Sequence, residues 1–127
     1  MRENKISVAI DRSVSEVYEF TTNPSNTHLW IDGIVHEETN EYPIRVGTIY
    51  RNINAQGEWT EYRVVQLVQD GLFELNNGRY SVRYLYEDLP VKGTELTYFE
   101  WVSEGELDEP FTVEVLEKLR TCMESAA

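Results

Sequence analysis

The sequence predicts an α+β fold: a curved antiparallel sheet of about six to seven strands wrapped around a long C-terminal helix, with two short helices after the first strand. Three observations carry this expectation. An alternating run, Lys5 to Asp11, is followed by two adjacent helix-start signals, Ser13-Val14-Ser15-Glu16 and Asn23-Pro24. From Ile34 to Ser103, runs rich in aromatic and β-branched residues alternate with short turn signals. Near the end, Val115, Leu116, Leu119, Cys122 and Met123 recur at spacings of three and four, the stripe of an amphipathic helix. A chain of 127 residues is expected to form a single domain over 1–127. It can bury roughly two-thirds of its unfolded surface without a disulfide or metal.

Each element has a local reason. In the first strand Ile6, Val8 and Ile10 alternate with Ser7 and Ala9. Ser13 and Glu16 form a Ser-x-x-Glu capping box, and Val14, Val17 and Tyr18 then share one helical face. Asn23 caps a second short helix with Pro24 at its first position, and Gly33 ends the pair. Strands are expected at Ile34 to Asn40, Thr48 to Asn54, Glu58 to Gln69, Leu72 to Leu75, Tyr80 to Glu87 and Thr94 to Ser103. Their turns fall at Pro43–Gly47, Ala55-Gln56-Gly57, Asp70-Gly71, Asn76-Asn77-Gly78 and Pro90–Gly93. Such short connections imply an antiparallel meander. The last helix is expected to begin near Asp108-Glu109-Pro110, since acids and Pro suit a first turn.

The net charge is −12, from 23 acids and 11 bases. That balance argues against nucleic acid and against anionic membrane surfaces. Eleven acids and three bases follow from Glu87 onward, a solvated acidic face or a docking face for a basic partner. The single cysteine, Cys122, cannot form an internal disulfide and reads as a small apolar residue of the last helix, which fits a reducing cytoplasm. Met1-Arg2-Glu3-Asn4-Lys5 leads straight into a strand, so no signal peptide is expected, and no apolar run reaches the ~20 residues of a membrane span.

Four motifs in order resemble the START-like helix-grip (SRPBCC) superfamily, and its polyketide cyclase/dehydrase branch in wording. They are Ile10-Asp11 with Val17-Tyr18-Glu19-Phe20, Asn23-Pro24 and Trp30-Ile31-Asp32-Gly33; Val46-Gly47-Thr48-Ile49-Tyr50; Tyr84-Leu85-Tyr86-Glu87; and Gly93-Thr94-Glu95-Leu96. The resemblance spans essentially the whole chain. It implies a helix-grip fold with a cavity for a small hydrophobic or aromatic, lipid- or polyketide-like molecule between the sheet and the C-terminal helix. It also leaves open a cyclase or dehydratase, and an interaction module with a filled interior.

Such a cavity needs apolar and aromatic walls with a few polar groups. The ligand-facing candidates are Trp30, Tyr50, Trp59, Tyr62, Tyr80, Tyr84 and Tyr98. Alternation predicts that Tyr80, Val82, Tyr84 and Tyr86 share a face and that Leu96, Tyr98 and Glu100 likewise share one, with the concave face left open. Trp30 reads either as a packing residue or as a wall of the cavity mouth. Glu100, between Phe99 and Trp101, is the candidate acid–base group, with Tyr98 as its hydroxyl partner; the alternatives are pairing with Arg63 or Arg83, or exposure to water. Arg45, Arg51, Arg63, Arg79 and Arg83 could hold a ligand carboxylate or balance surface acids. His28 and His36 lack metal-ligand spacing, and neither a Gly-rich phosphate loop nor a Gly-x-Ser-x-Gly elbow is present. No metal or cofactor is expected. The expected partners are a small hydrophobic molecule and a second copy of the chain in a homodimer.

Overall fold

The computed structural model describes residues 1–125. Strand β1 (Glu3–Ile10) leads into helix α1 (Val14–Thr22) and a 3-10 helix (Pro24–Leu29). Six strands follow: β2 (His36–Thr39), β3 (Ile49–Ile53), β4 (Trp59–Val68), β5 (Leu72–Asn76), β6 (Tyr80–Asp88) and β7 (Thr94–Val102). Helix α2 (Val113–Ser125) closes the described chain. The strands form one seven-stranded antiparallel sheet in the order β1-β7-β6-β5-β4-β3-β2, so the first strand adds to the last. This curved α+β arrangement is compatible with a helix grip.

The capping box forms as expected. Ser13 Oγ accepts from Glu16 N–H, and the Glu16 carboxylate accepts from Ser13 N–H. The second short helix is a 3-10 helix rather than an α-helix, with Asn23 Oδ1 accepting from Ser25 N–H. Val17, Tyr18, Thr21 and Thr22 are the buried face of α1.

One boundary differs by several residues. Helix α2 starts at Val113, not near Asp108–Pro110, because the preceding segment is held by other partners. Leu107 N–H donates to the Met1 carbonyl, and Phe111 N–H donates to Glu100. Those bonds tie the segment to the chain before β1 and to β7 along an irregular path, and the helix begins only beyond it.

Leu116, Leu119 and Met123 are the buried stripe of α2, and the strand it lies against is β1. At 13 residues the helix is about 20 Å long. Its contacts lie at the β1 end of the sheet, and the concave side of the β2–β5 half is left for other segments to cover. The core between them is aromatic. Tyr84 meets the rings of Trp30, Phe73, Tyr86 and Tyr98 at centroid distances of 5.3–6.4 Å.

Candidate functional site

The concave face, from β2 across to β7, holds a cavity of about 430 Å³. The inward residues of adjacent strands build its floor. Register pairs Tyr84 with Tyr98, Val82 with Glu100 and Tyr50 with Tyr62, and all six line it. The two sets grouped by alternation, one on β6 and one on β7, therefore form one continuous surface on the concave side. Ile31 to Ile34 on one side and Leu107 to Phe111 on another complete the walls. Among the described residues α2 contributes no lining side chain, so the cavity lies beside that helix, beyond the expected place between helix and sheet.

Tyr50, Tyr62, Tyr80, Tyr84 and Tyr98 line the cavity. Tyr50 donates to the Thr22 carbonyl at 2.5 Å, which fixes its ring against α1. Two of the candidates lie elsewhere. Trp59 is 45% exposed on the convex face, with the Arg51 guanidinium 4.6 Å from its ring centroid. It sits three residues from Tyr62, and an odd spacing on one strand puts the two on opposite faces. Trp30 is buried behind the wall, edge-on to Tyr84 and Phe111 at 6.4 and 6.3 Å; it packs the wall instead of lining it.

Glu100 points inward and is 1% exposed. Among the described residues no arginine pairs with it: Arg83 pairs with Glu74 on the convex face at 2.7 Å. Its partners are neutral donors. Oε2 accepts from Asn4 Nδ2 at 2.9 Å and from Phe111 N–H at 2.7 Å, and Oε1 accepts from Tyr80 at 2.7 Å. Tyr80 also meets the Tyr98 hydroxyl at 3.1 Å. Since the one Tyr80 proton goes to Glu100, Tyr98 must donate to Tyr80, and the Tyr98 oxygen keeps acceptor capacity. Burial pushes the pKa of both phenols up, so they work as neutral hydroxyls.

A second carboxyl in the cavity, Glu37, escaped the sequence reading. It is 9% exposed on β2, opposite Asn52. Thr27 donates to its Oε1 at 2.5 Å and Asn52 to its Oε2 at 3.1 Å. Burial raises its pKa; the bonds from Thr27 and Asn52 and the nearby His36 oppose that rise. The signal that could have found it is the β2–β3 pairing, since Asn52 shares a face with Tyr50.

The arginines have other work. Arg45 pairs with Glu41, and Arg51 with Glu61. At the cavity rim, Arg79 donates to the Glu104 carbonyl at 3.0 Å and the Glu106 carbonyl at 2.6 Å. Cys122 donates to the Leu29 carbonyl at 3.4 Å. Among the described residues no helix is long and apolar enough to cross a membrane.

No protein-family model matches the chain, and no curated protein matches it. Solved structures do. A structure from Mesorhizobium loti superposes with a TM-score of 0.80 at 13% identity, covering 99% of each chain. A conserved protein of unknown function from Enterococcus faecalis gives 0.76 at 14% identity, covering 98% of this chain and 74% of its own. The Aha1 dimer from Colwellia psychrerythraea gives 0.70 at 13% identity, with 98% and 97% covered. At these identities the likeness establishes a fold shared with these three structures.

Proposed function

We propose that this chain is a START-like helix-grip protein of polyketide cyclase type, and that its cavity binds a small hydrophobic or aromatic, lipid- or polyketide-like molecule. The observation that carries the reading is the hollow of about 430 Å³ walled by five tyrosines with Phe73 and Phe111. That volume falls within the range of small-molecule sites, and mostly apolar walls with a few convergent polar groups are their usual make-up. An interaction module would need a filled interior, and the hollow weighs against it. A cytoplasmic location and homodimerisation belong to the same proposal. Homodimerisation is supported by the dimeric state of the Colwellia structure.

Native mass spectrometry of the protein purified from its own host tests the reading. A small molecule should co-purify and be lost on denaturation. Val82→Trp, which places an indole in the hollow, should abolish its retention while circular dichroism stays native. Unchanged retention in Val82→Trp would overturn the proposal.

A second reading, a cyclase or dehydratase, is favoured by the Tyr98–Tyr80–Glu100 chain. It links a cavity hydroxyl to a carboxyl through hydrogen bonds of 3.1 and 2.7 Å, an arrangement suited to proton transfer. Loss of turnover of the identified ligand in Glu100→Gln would support catalysis, and unchanged turnover would remove Glu100 from it.

A further inference from the structure

Resting on the binding reading above, the geometry points to the class of ligand: an aromatic or apolar body carrying a protonated amine, seated with its cation at Glu37, with free carboxylates excluded.

The balance of charge on the walls is the first argument. The lining includes the acids Glu37, Glu100, Asp108 and Glu109. Its one cation among the described residues is Arg79, which sits at the rim with its guanidinium donating to two backbone carbonyls. A fatty acid or aromatic carboxylate would thus enter without a committed counter-charge and face carboxyls of its own sign. In a site shielded from water such like-charge contacts are far costlier than at the surface.

The second argument separates the two inward carboxyls. Glu100 is occupied: Oε2 already accepts two hydrogen bonds and Oε1 accepts one from Tyr80. Those bonds tie Asn4, Phe111 and Tyr80 together and leave Glu100 with a structural task. Glu37 has one neutral partner on each oxygen, Thr27 and Asn52, so each oxygen keeps an open lone pair. A buried carboxylate with only neutral partners gains most from a cation. The tyrosines complete the fit, since their ring faces suit both an aromatic body and a positive charge. The chain's net charge of −12 adds a long-range field that concentrates cations at the mouth.

Three matched probes test this on the intact protein by isothermal titration calorimetry at about 0.15 M salt, where surface fields are screened. They are 1-naphthylmethylamine, 1-naphthylmethanol and 1-naphthylacetate. The amine should bind about tenfold or more tightly than the acetate, with the alcohol between them. Glu37→Gln keeps the side-chain shape, and Asn52 can turn its amide to accept from it. In that variant the amine–acetate ratio should collapse to within about threefold. Acetate binding equal to or tighter than the amine overturns the inference on the wild-type protein alone, whether or not the variant folds. A preference that survives Glu37→Gln also overturns it, because the cation would then be seated elsewhere. Binding of the alcohol without any gain for the amine removes the charge selection and leaves the cavity reading standing. Failure of all three to bind removes both.

Discussion

Phe111 N–H donates to Glu100 Oε2 at 2.7 Å, so the segment that walls the cavity is fastened to the middle of β7. The same oxygen accepts from Asn4 Nδ2, whose other bond goes to the Phe111 carbonyl at 2.8 Å. Strand β1, strand β7 and the segment before α2 therefore meet at one buried carboxyl. Replacing it with an apolar side chain strands the Phe111 N–H. Glu100→Leu should cost about 2–3 kcal/mol in urea denaturation. Glu100→Gln should cost under about 1 kcal/mol, because its carbonyl can keep Phe111 and Asn4 while its amide donates to Tyr80. Equal losses in the two variants would show that Glu100 is not a latch.

The ring of Phe111 lies flat on Tyr98, with centroids 4.5 Å apart and an angle of 2° between planes. This stack is the second bond between wall and floor. A double-mutant cycle of Phe111→Leu and Tyr98→Leu should give a coupling of about 0.5–1.5 kcal/mol. A cycle that closes to zero would mean that the backbone hydrogen bond alone positions the wall.

Much of this arrangement was legible in the residues. The period-two runs through Tyr80–Tyr86 and Leu96–Glu100 gave the shared face, and the Ser13 capping box set the start of α1. Three features were not legible, each for a physical reason. Asp108-Glu109-Pro110 has the composition of a helix start, but tertiary partners at Leu107 and Phe111 claim its backbone. Glu37 lies on a four-residue strand, too short to show a period. In β4 the register slips between Val64 and Gln66, so the inward set runs Tyr62, Val64, Leu67, a sequence that uniform alternation does not give. The cavity itself follows from where α2 lies along the sheet, a packing outcome that no local pattern encodes.

Glu37 makes the stability depend on pH in a defined direction. Burial raises its folded-state pKa above the ordinary 4.5, so the folded protein holds that proton more tightly than the unfolded chain does. A raised carboxyl contributes stability that is fully present below the ordinary value and is lost as pH climbs through the folded-state value. Glu37→Gln has no such proton to lose. Between about pH 4.5 and pH 7.5 the wild type should therefore lose stability relative to Glu37→Gln in urea denaturation without ligand. A constant difference across that range would show that burial does not govern this carboxyl.

Gly93 closes the β6–β7 hairpin against the end of β1, and two independent features require glycine there. Its φ is +95°, and an added Cβ would lie 2.5 Å from the Ile10 carbonyl oxygen. Ile10 is held by pairing with Thr94, and Thr94 Oγ1 donates to the Arg12 carbonyl, so the obstructing backbone is anchored on both sides. Gly57 provides the control: its φ is +81°, but nothing lies within 4 Å of the added atom. Gly57→Ala should cost about 1 kcal/mol from backbone strain alone. Gly93→Ala should cost about 2–4 kcal/mol, strain plus the collision with Ile10. Thermal denaturation of the two variants side by side checks the difference. Similar losses would mean that the β1 end yields to the new atom, and that the junction between the first and last strands is softer than its hydrogen bonds imply.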